Sequence, residues 1–354
     1  MELKNNEFTV KFKPEPKQGF YHSLKKDATK IISNEDKYAS KSVWIKAFIF
    51  LLILVVSGVN ISTGAGPILL WYLLIGICMH VLTLHVVHDA AHGVLSKYRT
   101  INYLALFMMD LMGADGRIWR RRHIYGHHPF PNILGKDVDI GQSKVVVIFP
   151  GMQMKWIHKF QHLYMPFVYP LYSLYWFFIR DLQNLFALEG KPVFTKKPSV
   201  FGVLGFMMVK VFALSWQVFL PLIIFPEKSW LIIFGFLLMH FTASILGAFV
   251  LLSSHVDGKS DFTQPDEDGN MPFTWAEHQV VSNADFSTQS TFWTIFFGGF
   301  NHHIAHHLFP YISKSRLAPI TPLIQQKCRE YGIEYREMPF GAGLISHIQF
   351  LKRS

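Results

Sequence analysis

The chain has 354 residues, of which 50% are hydrophobic, 16% are aromatic and only 16% are charged. Soluble proteins of this length seldom combine so many apolar side chains with so little charge, so the composition indicates an integral membrane protein. The formal net charge of +10 fits lysine and arginine collected on one side of a membrane better than nucleic-acid binding, because the sequence contains no basic, aromatic-containing nucleic-acid module.

The N-terminal part of the chain contains a polar arm followed by two long apolar runs. Residues 1–42 are charged, rich in lysine and without the apolar core of a signal peptide, which predicts a cytosolic arm. The run VWIKAFIFLLILVVSGV, residues 43–59, is long enough for a membrane-spanning helix. A second run starts near Pro67, after the uncharged turn NISTGAGP. Because about 20 residues cross the hydrocarbon core, we expect His88 and His92 to project beyond the membrane.

The remainder of the chain predicts interfacial helices and a second hairpin. The segment INYLALFMMDLMGAD, residues 101–115, is too short to span a bilayer. We expect it to lie at the membrane interface, together with another helix in residues 165–178. Two apolar runs, 201–225 and 229–252, flank the short turn FPEKS. They predict a second transmembrane hairpin, after which the chain from His255 onward is mostly polar.

The distribution of charge predicts the orientation in the membrane. The two hairpin turns, NISTGAGP and FPEKS, contain one lysine between them, whereas the other segments carry almost all the lysine and arginine. Short loops rich in these residues stay on the cytoplasmic side. We therefore expect a multi-pass protein with both termini, and the histidine-rich segments, at the cytoplasmic face.

Histidines are concentrated in three clusters on that face. The motif HDAAH holds His88 and His92, which share one face of a helix at a spacing of four. The other two clusters are HIYGHH, with His123, His127 and His128, and HIAHH, with His303, His306 and His307. Neutral imidazole is the commonest side-chain metal ligand. Eight histidines are too many for one tetrahedral zinc ion, but they suffice for two metal ions with about four nitrogens each.

Other residues bear on the same metal site. His255, just past the fourth apolar run, is a candidate ninth ligand. Ligand type alone leaves iron, copper, nickel and zinc open, whereas the two cysteines, Cys78 and Cys328, exclude a thiolate metal cage. The predicted fold class is therefore an all-α integral membrane protein with four transmembrane helices in two hairpins. The predicted fold also has interfacial helices and a cytoplasmic helical cap that carries a di-metal site.

The order HxxxH, HxxxHH and HxxHH around two apolar hairpins resembles that of the membrane fatty-acid desaturases. Three longer stretches look like the branch that contains acyl-lipid and front-end desaturases: WRRRHIYGHHPFPNILGKDVDI, WAEHQVVSNADF and GGFNHHIAHHLFP. On this resemblance we place a desaturase domain at 43–345, between the 1–42 arm and a C-terminal tail at 346–354. The resemblance implies two non-haem iron ions, with the eight histidines as ligands, that use molecular oxygen to remove two hydrogens from an acyl chain.

The resemblance also implies roles for residues near the clusters. His255 stands where the family commonly supplies a further iron ligand, and His278 lies in the family's HQ motif, which implies support of the metal site or positioning of substrate. Asp89 and Asp139 would accept hydrogen bonds from ligand imidazoles, or else are solvated charges near a cytosolic surface. Four arginines beside the second cluster would bind a phosphate head group or an acidic electron donor, or else are ordinary residues of the positive side: Arg117, Arg120, Arg121 and Arg122.

Two features depart from many front-end desaturases. Many of them have glutamine at the position of His303, which leaves the position of the double bond open. Many also carry a fused cytochrome b5 domain with an HPGG motif, and this motif is absent here. We therefore expect electrons to come from a separate protein, such as ferredoxin or cytochrome b5 with its reductase.

Three other functions fit parts of the pattern. A related di-iron hydroxylase, ketolase or acetylenase would share every ligand and differ only in its product. A transmembrane b-type cytochrome would bind haem through His80, His85 or His240 at membrane depth, although the clusters lie outside the membrane. A metal transporter or membrane zinc hydrolase is the third alternative, but transporters usually place polar ligands near the bilayer midplane, whereas these histidines lie at one face.

Overall fold

Four long apolar helices form the centre of the molecule and run as two hairpins. The computed structural model describes residues 9–32, 37–140, 145–149, 152–186, 198–256 and 260–353. Within these residues, the helices long and apolar enough to cross a membrane are Lys41–Thr63, Ile68–Ala91, Val200–Ile224 and Pro226–His255. The predicted all-α membrane fold with two transmembrane hairpins is confirmed.

The first hairpin ends in a helix whose winding changes just before the first histidine cluster. In chain order, the N-terminal elements are β1 (Lys11–Lys13), α1 (Phe20–Ile31), α2 (Lys41–Thr63), α3 (Ile68–Leu82), a π-helical turn (Thr83–Val87) and α4 (His88–Ala91). Gly64 follows α2 with a φ of 64°, in the left-handed region that favours glycine at the end of a helix. The second spanning segment is one continuous helix made of α3, the π turn and α4, and His88 lies near its end.

Between the hairpins, short helices lie outside the four spanning segments. They are α5 (Arg99–Met112), α6 (Gly116–Arg122), a π turn (His123–His127), a 3-10 turn (Trp156–Phe160), α7 (Gln161–Val168), a 3-10 turn (Tyr169–Leu171), α8 (Tyr172–Tyr175), a π turn (Trp176–Arg180) and α9 (Asp181–Phe186). The helix predicted in residues 165–178 is interrupted here. Pro170 has no N–H to continue the helical hydrogen bonds, and it lies at the start of the second 3-10 turn.

The second hairpin packs its last helix along the second spanning segment. Its elements are α10 (Val200–Leu214), a π turn (Ser215–Phe219), α11 (Leu220–Ile224), a 3-10 turn (Pro226–Lys228) and α12 (Ser229–His255). A Cβ atom added to Gly76 of α3 would lie 2.5 Å from the carbonyl oxygen of Met239 in α12. Only glycine therefore permits this close approach of the two helices. The packing brings His88 and His255, each at the end of its helix, to the same end of the molecule.

The C-terminal part forms a cap over that end. Its elements are β2 (Asn270–Thr274), α13 (Trp275–Val281), β3 (Asp285–Phe286), α14 (Thr291–Phe296), α15 (His303–Leu308), a 3-10 turn (Lys314–Arg316), α16 (Thr321–Tyr331), β4 (Glu337–Met338) and α17 (Phe340–Arg353). Strand β1 pairs in parallel with β2, and β3 pairs in parallel with β4. Within the described residues, the β-structure consists of these two short pairings.

The described part of the predicted N-terminal arm packs into the cap. Phe20, Leu24 and Ala28 of α1 share a buried apolar cluster with side chains of α15 and α16. In addition, the N–H of Ser313 donates to the carbonyl of Lys37 at 2.8 Å. Helix α17 continues through residue 345, where the sequence places the end of the membrane domain. The described part of the arm therefore packs against α15 and α16, and the described part of the tail belongs to α17.

Candidate metal centre

The histidine clusters meet where the spanning helices enter the cap. His88 and His92 lie at the end of the second spanning segment, and His255 is the last residue of α12. The second cluster lies on the π turn after α6, and the third lies on α15. Because these elements come from distant parts of the chain, only the packing of the hairpins and the cap brings the clusters together.

The structure sorts eight of the predicted histidines into two groups. His88, His92, His123 and His306 form the first group, and His127, His255, His303 and His307 form the second. Within each group one ring nitrogen of every residue lies within 4.8 Å of the others, as ligands of a single metal ion must. Among the described residues, these are the groups with that geometry.

His128, the remaining predicted ligand, lies at the edge of the first group. Its Nε2 atom is 3.1 Å from Nε2 of His123 and 3.1 Å from Nε2 of His306. Its ring also stacks on that of His307 in the second group, with the ring centroids 4.5 Å apart. The two groups therefore adjoin, and the first group can offer five imidazoles.

The π-helical turn explains how the second cluster serves both groups. In this turn the N–H of His128 donates to the carbonyl of His123, five residues earlier, at 3.1 Å. The wider winding places His123 and His128 in one group and directs His127 to the other. Such turns occur frequently at functional sites. The third cluster divides likewise, because His303 and His307 belong to the second group and His306 to the first.

Carboxylates fix the orientation of two of the imidazoles. Asp139 lies 3.2 Å from Nδ1 of His123, and both oxygens of Asp137 lie 3.1 Å from Nδ1 of His127. An ionised carboxylate can only accept a hydrogen bond, so each Nδ1 carries the proton and each Nε2 presents a lone pair to its group. The sequence interpretation named Asp139 but missed Asp137, which reaches His127 only because the loop after the π turn folds back.

The first group also touches a buried ion pair that the sequence interpretation assigned differently. Asp89 was expected to accept a hydrogen bond from a ligand imidazole, but its carboxylate is 3.9 Å from Nδ1 of His88, too far for one. The buried ammonium of Lys314 lies between them. It donates to Asp89 and is 2.7 Å from Nδ1 of His88. Lys314 follows the third cluster, so its contact with the first cluster could not be read from sequence spacing.

His278 lies outside both groups. Its Nε2 atom is 2.8 Å from the carbonyl oxygen of Pro131, and its ring packs 5.4 Å from that of Phe12. The neighbouring Gln279, by contrast, contacts a predicted ligand, since its side-chain amide is 2.9 Å from Nδ1 of His307. Adjacent residues on helix α13 point in different directions, so Gln279 faces His307 while His278 faces Pro131.

The four arginines beside the second cluster have different surroundings. Arg122 is buried, donates to Asp139 and packs over the ring of Trp176. Because its charge is paired with Asp139, Arg122 fits a structural role better than the binding of a head group or an acidic donor. Arg117 pairs with Asp115 at 2.8 Å, Arg120 donates to the carbonyl of Ala91 at 2.7 Å, and Arg121 packs over the ring of Tyr125.

The electrostatics favour neutral imidazoles, the form that binds metal ions. Burial lowers the pKa of His128 and His306 well below the usual imidazole range. Burial also opposes protonation of His127, but the charge and hydrogen bonds of Asp137 raise the pKa of this residue. In addition, Nε2 of His92 and Nε2 of His307 are buried and have no hydrogen-bond partner within the described part of the chain. Converging nitrogen lone pairs of this kind fit a pair of metal ions that take nitrogen ligands, iron included.

Other buried histidines belong to neither group. Nδ1 of His240 lies 2.9 Å from the hydroxyl of Ser173, and Nε2 of His85 lies 3.0 Å from the carbonyl of Phe296. His302, next to the third cluster, faces the hydroxyls of Thr294 and Thr321 instead. The two metal groups lie at the cap end of the helices, and His240 lies well away from them on α12.

Comparisons with known proteins agree with this arrangement. Residues 63–339 match the family model described as Fatty acid desaturase. The chain is 31% identical over 291 residues to the sn-1 linoleoyl-lipid 6-desaturase of Synechocystis, covering 80% of this chain and 79% of that protein. It is 29% identical to the enzyme of the same name from Arthrospira platensis, covering 81% and 79%. It is 27% identical to the Delta(5) fatty acid desaturase A of Dictyostelium discoideum, covering 95% and 75%.

Proposed function

The chain belongs to the fatty acid desaturase family, and from that premise we propose that it inserts a double bond into the acyl chain of a membrane lipid at two iron ions held by nine histidines. The observation that carries the proposal is the pair of adjoining buried groups, in which the ligand nitrogens lie within 4.8 Å of one another. In this proposal the first ion is bound by His88, His92, His123, His128 and His306, and the second by His127, His255, His303 and His307.

The surrounding residues support this role through what they do to the imidazoles. Asp137 and Asp139 hold the proton on Nδ1 of His127 and His123, so that Nε2 points at the metal position. The buried Lys314–Asp89 pair lies next to His88, with Nζ of Lys314 2.7 Å from Nδ1 of His88. When bound, two iron ions would supply the redox chemistry with molecular oxygen that removes two hydrogens from the acyl chain. The buried position of the groups excludes bulk water, which protects such chemistry from side reactions.

The proposal includes a separate electron donor and a cytoplasmic active site. Lysine and arginine are nearly absent from the two hairpin turns and abundant elsewhere, which supports a cytoplasmic position for the cap. A donor such as ferredoxin, or cytochrome b5 with its reductase, would approach from that side. Because the metal groups lie at the ends of spanning helices, an acyl chain can reach them from the bilayer while its head group stays in water.

Expression in a host that lacks polyunsaturated lipids tests this function. We expect lipid mass spectrometry with double-bond location to show a new double bond in cells that express the chain. A variant with His303→Ala and His307→Ala, produced at the same level, is the matched control and should give no new product. A hydroxylated or triple-bonded acyl chain as the main product would instead favour the alternative chemistry of the same metal centre, and an unchanged lipid profile would contradict the proposal.

A further inference from the structure

A buried apolar cluster joins the second and fourth spanning helices to the cap beside the histidine groups. We call it the aromatic layer, and its buried members are Leu84, Val250, Phe286, Phe297 and Phe300, with Trp293 and Phe340 packed against them. Leu84 precedes His88 by four residues and Val250 precedes His255 by five. Each therefore lies between one and one and a half helical turns, roughly 6–8 Å, closer to the middle of its spanning segment than the histidine on its own helix.

Exposed apolar side chains of the cap lie at the outer edge of the aromatic layer. Helix α14 is short and exposes the apolar side chains of Phe292, Ile295 and Phe296, although it belongs to the cap. Its end is held to the first spanning helix, because the Lys46 ammonium donates to the carbonyl of Ile295. The exposed face of α14 is thus continuous with the lipid-facing side chains of α2, such as Phe48. Phe296 packs on Phe297, so the layer extends inward from this edge.

Phe300 forms the inner edge of the layer and contacts both metal groups. Its ring centroid lies 5.7 Å from that of His88 in the first group and 4.5 Å from that of His303 in the second. The turn before it fixes this position, because Gly298 and Gly299 have positive φ values of 62° and 85°. A Cβ atom on Gly299 would lie 2.2 Å from the carbonyl oxygen of Lys314, so the turn is also closely packed.

We propose that Phe300 determines which carbons of the acyl chain face the metal ions. This inference rests on the proposed desaturase function. In this proposal an acyl chain that enters from the bilayer passes the aromatic layer, and the ring of Phe300 lies against histidines of both groups. The volume of this ring limits how far the chain advances toward the metals, and hence where the double bond forms.

Phe300→Leu tests the inference, with Phe297→Leu as the matched control. Phe297 belongs to the same layer, but its ring contacts within the described residues are with other aromatic side chains and not with the histidines. Both variants are expressed in a host fed defined 18-carbon and 20-carbon polyunsaturated fatty acids. Double-bond positions are determined by mass spectrometry, and iron content is measured in the purified proteins. Phe300→Met, which is closer in volume to phenylalanine, is made in parallel.

We expect the Phe300 variants to form double bonds at neighbouring positions, with discrimination between positions reduced about tenfold, the usual effect of a small change in an apolar pocket. Phe297→Leu should keep the wild-type position. If a Phe300 variant that contains iron still forms double bonds at the wild-type positions, the inference is wrong, and the desaturase function stands. Loss of iron and product in both Phe300 variants would also overturn it, because Phe300 would then only support the metal site. Absence of product from the wild-type chain would instead count against the proposed function.

Discussion

Separate replacement of His255 and His240 by alanine compares two buried histidines on the same helix. His255 ends α12 and presents Nε2 2.7 Å from Nε2 of His303 in the second group. His240 precedes it by 15 residues, or about 22 Å along the helix axis. It packs between Phe177 and Phe236 and contacts Ser173. The two positions therefore share burial and secondary structure and differ in whether they face the proposed metal ions.

The structure sets the expected size of each effect. His255→Ala leaves three imidazoles in the second group and does not touch the first. Bound iron should therefore fall from two ions toward one. Removal of a ligand should cost more than the 10–100-fold loss typical of residues that only support a ligand, so we expect product formation to fall by more than about 100-fold. His240→Ala loses one buried hydrogen bond, which costs about 1–3 kcal/mol of stability, and should retain most of the iron and specific activity.

The assay measures iron per chain, thermal unfolding in detergent and product per mole of protein for both variants and the wild type. Normalisation to the amount of folded protein separates a lost ligand from lower expression. If both variants lose iron and activity alike, or if His255→Ala retains both, His255 is not a metal ligand and the proposed second site is wrong.

Three further outcomes follow from the same structure. Asp137→Asn removes the carboxylate that orients His127 and should weaken iron binding about 10–100-fold in a chelator competition, whereas Asp115→Asn, at the start of α6, should leave it unchanged. Purified enzyme with lipid substrate and oxygen should turn over only after addition of a reductase with cytochrome b5 or ferredoxin, and sustained oxygen-dependent product formation without a reductant would refute this. Burial raises the pKa of Asp110 to about 6 from an ordinary value of 3.8, so its contribution to stability is present below about pH 4 and is lost as the pH rises through 6. The melting temperature of Asp110→Asn should therefore decline less than that of the wild type between pH 4 and 8, and parallel pH profiles would contradict the assignment.

Periodic features of the fold could be predicted from the sequence. The four spanning helices, their order as two hairpins and the position of His255 at a helix end follow from the length of apolar runs and the rise of an α-helix. The histidine clusters were equally visible, because spacings of three and four residues place side chains on one face of a helix.

Contacts made by loops could not be predicted in this way. Asp137 reaches His127 because residues 129–140 fold back, a geometry without a sequence period, and the sequence interpretation therefore missed this contact. Lys314 meets His88 across 226 residues, and Arg122 is buried although its charge suggested an exposed position. The π turn His123–His127, which divides the second cluster between the two groups, also leaves no recognisable pattern in composition.

Iron stoichiometry tests the central claim most directly. Protein purified with its desaturase activity intact, and analysed for metals by mass spectrometry, should contain about two iron ions per chain, because the histidines form two adjoining groups rather than one. Removal of the iron by a chelator should abolish activity, and iron(II) should restore it. An active preparation that contains one tightly bound zinc ion per chain and no iron would contradict the claim.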